Sequence, residues 1–225
     1  MLYDSTGTPI EIDGSGQGIG AQWSGKKWYA YGTSLTNTSN EGKYATYLAQ
    51  MANLTLTNKG ISGGSIMSNV KSAIMNTTDG KTQADLITLE CGANDRTKTL
   101  GAIYDTGNDT FCGCLNQCIR YLQSNTNAQI VVMPSTVSNT SAPEATMGTD
   151  NHTWVEQREA IRQICALNGC FFIPLDQLGL GYTRAQNTAY VVDNIHHTAL
   201  GGYNLARGIW GYLKNIPLWY SSIPS

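Results

Sequence analysis

Trp28-Tyr29-Ala30-Tyr31-Gly32-Thr33-Ser34-Leu35 is a short apolar run that stops at a glycine and turns into a serine-bearing segment. Residues 28–31 read as a strand, and the same arrangement recurs along the chain. Residues 54–57 lead to Gly60-Ile61-Ser62-Gly63-Gly64, and residues 85–91 lead to Gly92-Ala93-Asn94-Asp95. Two further strands are expected at 129–133 and 171–174. Between them lie helical patterns at 41–52, 68–75, 111–123 and 153–167, and a last one follows at 199–213. In the first of these, Tyr44, Tyr47, Leu48 and Met51 recur at 3–4 spacing. In the fourth, the apolar run ends at Asn168-Gly169, a helix stop signal.

Strands alternating with helices imply a parallel sheet covered on both faces. In such sheets ligands sit beyond the carboxyl ends of the strands. Ser34, Gly63 and Asn94 each follow a strand candidate at that edge, so the coarse fold gathers them at one place.

The residue types found there suit acyl transfer. A serine hydroxyl needs a base to take its proton, and Asp193-Asn194-Ile195-His196 offers an imidazole with a carboxylate three residues before it. The carboxylate fixes the ring tautomer and stabilises the imidazolium. A tetrahedral intermediate also needs donors for its developing charge. Gly63 permits close backbone approach, and Asn94 supplies a neutral amide. Locally, Ser34 also reads as a turn serine, Gly60–Gly64 as a flexible turn and Asn94-Asp95 as a helix cap; these readings are compatible with the chemical one.

The four blocks together resemble the SGNH (GDSL-type) esterase and lipase family, from about Trp28 to Leu213. The family's usual Gly-Asp-Ser-Leu is here Gly32-Thr33-Ser34-Leu35, with Thr33 in place of the aspartate. The resemblance implies a three-layer α/β/α, flavodoxin-like domain with a five-stranded parallel sheet of order 2-1-3-4-5. It implies ester hydrolysis through a Ser34 acyl-enzyme, with His196 shuttling protons and Asp193 orienting it. The oxyanion hole would comprise the Ser34 and Gly63 amides and the Asn94 side chain. No metal or organic cofactor is implied.

Four competing patterns are present. Gly60-Ile61-Ser62-Gly63-Gly64 fits the G-x-S-x-G nucleophile elbow of another hydrolase fold. It follows only the second strand and would leave Ser34 and Asn94 idle, so Ser34 is preferred over Ser62. His197 adjoins His196 and is the alternative base, but the spacing from Asp193 favours His196. A metal site built on the two histidines would have only His152 to complete it. Gly16-Gln17-Gly18-Ile19-Gly20-Ala21 fits a loose dinucleotide-binding pattern, yet lacks the flanking strand and helix that the pattern needs.

The 225 residues carry a formal charge of −2 and no run of Lys or Arg, which argues against a nucleic-acid partner. The apolar runs are too short for membrane insertion. The first residues lack the pattern of a signal peptide, while the polar, weakly charged composition also suits an extracellular module, so the location stays open. The six cysteines read as small buried hydrophobes. Residues 1–25, rich in glycine, read as a strap or hairpin ahead of a hydrolase domain at 26–225. Tyr104, Trp154, Tyr182 and Tyr190 fall in or beside the candidate rim loops among polar residues, a mixture that suits a sugar. Arg96 is expected to pair with Asp95. The substrate expected is therefore a small acyl ester, acetyl above all, on a saccharide or other polar small molecule. A lipase or thioesterase for longer chains, or a carbohydrate-binding module that keeps the fold without catalysis, are the alternatives.

Overall fold

The computed structural model describes residues 2–3, 9–10, 20–37, 41–136, 142, 144–178, 187–193 and 195–218. Five strands form one parallel sheet: β1 (Lys27–Gly32), β2 (Thr55–Gly60), β3 (Leu86–Cys91), β4 (Gln129–Pro134) and β5 (Phe171–Phe172). Their order is β2-β1-β3-β4-β5. The helices are α1 (Tyr44–Ala52), α2 (Asn69–Met75), α3 (Phe111–Asn125), α4 (Trp154–Asn168) and α5 (Ala199–Leu213). Two-residue strands also pair at Leu2–Tyr3 with Pro9–Ile10, and at Thr146–Met147 with His152–Thr153.

Strand side chains alternate between the two sheet faces, and each face has its own core. Tyr31, Ile87, Leu89 and Val132 pack with α2, α3 and α4. Trp28, Ala30, Leu86 and Met133 pack with α1 and α5. This is the α/β/α sandwich expected from the alternation of elements. On α3, Leu115, Ile119 and Leu122 are fully buried, each stabilising the layer by about 1.5–3 kcal/mol. Trp23 joins the α1/α5 core, and its indole N–H donates to Leu213 O at 2.8 Å.

Local chemistry sets the element ends. Thr153 Oγ1 accepts from Glu156 N while the Glu156 carboxylate accepts from Thr153 N, closing a capping box at the start of α4. Gly169 ends α4 with φ 65°, as the Asn-Gly stop signal predicts. Most boundaries are offset from expectation by a residue or two, and three of the differences have a visible cause. Helix α1 starts at Tyr44 rather than residue 41, because residues 41–43 are drawn into the approach to His197, where the site of a Gly42 Cβ lies 2.6 Å from the His197 Cβ. Strand β2 runs on through Asn58, Lys59 and Gly60, since these pair with Ala30, Tyr31 and Gly32. Strand β5 stops at Phe172, and a 3-10 turn, Leu175–Gln177, takes over after Pro174.

The glycine-rich stretch at 16–21, set aside above as a dinucleotide site, lies largely outside the described residues, as do Tyr182 and Asn194. All six cysteines are unpaired and five are buried. No described helix is long and apolar enough to cross a membrane.

Candidate active site

The carboxyl ends of β1, β2 and β3 meet the segment after residue 187 at one edge of the sheet. Beyond β1 the chain turns at Thr33, whose carbonyl accepts from the amides of Thr36 and Asn37 at 3.1 Å each. This turn carries Ser34, 9 % exposed at the edge of a small depression lined by Leu35, Gly42, His196 and His197. Ser34 Oγ lies 2.9 Å from His196 Nε2, and His196 Nδ1 lies 2.7 Å from Asp193 Oδ2. The other Asp193 oxygen accepts from the amides of Ile195 and His196, at 3.2 and 2.8 Å. One carboxylate thus folds the tight turn and orients the ring above it. Partial burial acts to raise the Asp193 pKa, but the bonds from the His196 ring and the two amides outweigh it and hold the group below the usual carboxylate range. With Nδ1–H bonded to this carboxylate, Nε2 is the acceptor facing Ser34.

His197 points elsewhere. It is 4 % exposed, and its Nε2 lies 3.1 Å from Thr136 Oγ1. Burial, aided by the neighbouring His196, lowers its pKa to about 4. Ser62 is exposed and, among the described residues, has no hydrogen bond to a histidine. Spacing and geometry therefore agree on His196, and Ser34 rather than Ser62 is the hydroxyl it meets. The two adjacent rings face different partners, and no group of three metal-ligating side chains occurs among the described residues.

The loops that carry the two other candidate residues, Gly63 and Asn94, are joined through Gly64. Asn94 follows β3 in a 3-10 turn, Ala93–Asp95, and its Nδ2 donates to Gly64 O at 2.8 Å. A side-chain amide has two N–H donors, so this bond fixes the amide and leaves the second N–H for another acceptor. Gly63 adopts φ 68°, a left-handed conformation that favours glycine, and a Cβ there would point into open space.

Asp95 departs from expectation. It does not pair with Arg96; its side chain turns inward and is fully buried. It accepts from Ser65 Oγ at 2.5 Å and from the amides of Ile66 and Met67 at 3.1 Å each. Those three donors satisfy the carboxylate, and Arg96 instead donates to Ala93 O at 3.4 Å. Trp154 is another correction: at 1 % exposure it belongs to the core, not the rim. Tyr104 is 70 % exposed, and Tyr190 is half-buried against α5 and its neighbours.

One residue of the site is not singled out by its sequence pattern. Glu90, at the end of β3, is fully buried beneath the Ser34 turn, where its carboxylate accepts from Thr33, Thr36 and Ser135. The available signal was a lone charge within Leu86-Ile87-Thr88-Leu89-Glu90-Cys91.

The family model of the GDSL-like Lipase/Acylhydrolase family matches residues 28–202, a span that holds Ser34, Gly63, Asn94, Asp193 and His196. The chain belongs to this family. As a GDSL-like acylhydrolase it is a carboxylic ester hydrolase. Solved structures share its fold at low identity. A Lactobacillus plantarum protein is 24% identical, with a TM-score of 0.73 over 84% of this chain and 97% of that one. A possible lipase from Chitinophaga pinensis is 18% identical, with a TM-score of 0.68 over 84% and 98%. An acetyl-xylooligosaccharide esterase from Geobacillus stearothermophilus is 16% identical, with a TM-score of 0.63 over 88% and 98%. A search of curated proteins returned no significant match.

Proposed function

We propose that this GDSL-like acylhydrolase is a serine esterase that removes small acyl groups, acetyl above all, from a carbohydrate or other polar alcohol. The observation that carries the mechanism is the relay from Ser34 through His196 to Asp193, at 2.9 and 2.7 Å. Ser34 Oγ attacks the ester carbonyl carbon while His196 Nε2 takes its proton. Asp193 stays ionised and stabilises the imidazolium. The oxyanion accepts hydrogen bonds from the Ser34 and Gly63 amides and the second N–H of Asn94. Collapse breaks the acyl C–O bond, and the alcohol leaves with the proton from His196. Water, activated by the same ring, then hydrolyses the acyl-enzyme. Each donor to the oxyanion is worth about 100- to 1,000-fold in turnover.

The small-acyl reading is supported by the slight depression at Ser34. It is also consistent with the fold shared with an acetyl-xylooligosaccharide esterase. One observation favours a second reading. Val192, Leu200 and Tyr203, in the segments flanking His196, are 59 %, 50 % and 45 % exposed, a surface that would suit a longer acyl chain. Acyl-length profiling separates the two. Rates on p-nitrophenyl esters should fall steeply beyond acetyl and propionyl, with release of acetate from acetylated xylan. A preference for octanoyl or longer esters would assign the protein to lipid or thioester substrates. Residues 26–225 are proposed as the hydrolase domain and 1–25 as a strap; the pairing of Leu2–Tyr3 with Pro9–Ile10 and the buried Trp23 support this.

A further inference from the structure

We infer that Glu90 is the positioning residue that locks the nucleophile turn and the Asn94 loop into one frame. The inference rests on the Ser34 reading above. Glu90 shares a sheet face with Leu86 and Thr88, at the carboxyl end of β3. An apolar side chain would be the cheaper occupant of that site, because burying a carboxylate costs energy unless its bonds are replaced. Here they are replaced by donors from the two parts of the site that must be held together.

Toward the nucleophile, one Glu90 oxygen accepts from Thr33 N at 2.8 Å, Thr33 Oγ1 at 2.7 Å and Thr36 Oγ1 at 3.2 Å. Thr33 Oγ1 in turn accepts from Leu35 N at 3.2 Å. Ser34 is therefore bracketed by two residues that are tied directly or indirectly to Glu90. Gly32 makes room, since a Cβ there would collide with Thr36 Oγ1 and Glu90 Oε2. Toward the oxyanion donor, the other Glu90 oxygen accepts from Ser135 Oγ, which itself accepts from Ala93 N at 3.1 Å. Ala93 precedes Asn94, so one carboxylate bridges the hydroxyl that attacks and the amide that receives the charge. Thr33 takes part as a hydroxyl donor. An aspartate at that position would set two carboxylates against each other, and they could coexist only by sharing a proton.

The test uses the full chain with p-nitrophenyl acetate. In Glu90→Gln the shape is kept, but one acceptor becomes an amide donor, so one of the two clusters loses its anchor. We expect kcat to fall roughly 10- to 100-fold, the cost of a misplaced reacting group, with KM within about twofold. Thr33→Val, which removes the hydroxyl alone, should show the same split and decides the matter where Glu90→Gln fails to fold. Thr33→Asp should lose activity as pH rises and the shared proton leaves; adding Glu90→Gln should restore it, because the glutamine amide donates to the new carboxylate. A merely structural role would lower the melting temperature without this reciprocal rescue. A kcat within about twofold of wild type in folded Glu90→Gln, or a double variant no more active than either single one, overturns the inference. Fluorophosphonate labelling of the wild type separates this failure from the other. Absence of an adduct on Ser34 removes the esterase mechanism, whereas equal labelling rates in wild type and Glu90→Gln remove only the role of Glu90.

Discussion

Asn94 Nδ2 donates to Gly64 O at 2.8 Å, joining the loop after β3 to the loop after β2. Asn94, one proposed oxyanion donor, is thus tied to the residue that follows Gly63, the other proposed donor outside the nucleophile turn. Asp95 reinforces the arrangement from below by accepting from Ser65, Ile66 and Met67. On the proposed mechanism these bonds hold the oxyanion donors in place before substrate arrives, which is what makes such donors effective.

Asn94→Ala should therefore lower kcat by about 100- to 1,000-fold with little change in KM. Asn94→Asp should be at least as poor, because a carboxylate neither donates nor tolerates an adjoining oxyanion. Steady-state kinetics on p-nitrophenyl acetate give the split between kcat and KM. A rise in KM at constant kcat would mean that Asn94 binds substrate and transition state equally.

The acid limb of activity follows from the relay. His196 Nε2 accepts the Ser34 proton only when the ring is neutral, so kcat/KM should fall once the imidazole is protonated. Asp193 is held below the usual carboxylate range, so it stays ionised across that limb, and one ionisation should describe the profile. Asp193→Asn should lower kcat by roughly 10³- to 10⁴-fold, the scale seen when a serine triad loses its carboxylate. A pH–rate profile from pH 4 to 9 tests both; a flat profile to pH 4 would contradict the role of His196.

His197 gives a stability prediction of definite sign. Its pKa drops from 6.5 unfolded to about 4 folded because burial opposes the charge. Between these values the unfolded state holds more protons, so stability rises with pH and is lost as pH falls. From pH 7 to pH 5 this group alone should remove about 2 kcal/mol. Urea unfolding of wild type and His197→Gln at both pH values isolates it: the variant should lose about 2 kcal/mol less than wild type. Equal losses would contradict a buried, neutral His197.

Much of this architecture was legible because its signals are local. Strand β1 ends in Gly32, β3 is followed at once by Gly92, helix α4 stops at Gly169, and the blocks around Ser34, Gly63, Asn94 and His196 lie where a parallel sheet collects them. What escaped notice depends on contacts between distant segments. The Asn58-Lys59-Gly60 extension of β2 is polar and becomes a strand only by pairing with β1. Asp95 looked like the partner of the adjoining Arg96, yet three donors from residues 65–67 turn it inward. Glu90 looked like a stray charge, because its donors Thr33 and Ser135 lie 57 and 45 residues away. Trp154 begins a helix in a polar neighbourhood, and only the packing of α4 sends its ring into the core.

The central claim, that Ser34 is an activated nucleophile, is tested most directly by fluorophosphonate labelling with peptide mass mapping, against heat-denatured and Ser34→Ala controls. The account predicts one adduct, on Ser34, formed by native protein and lost in both controls. An adduct on Ser62, or none on folded protein, would contradict it.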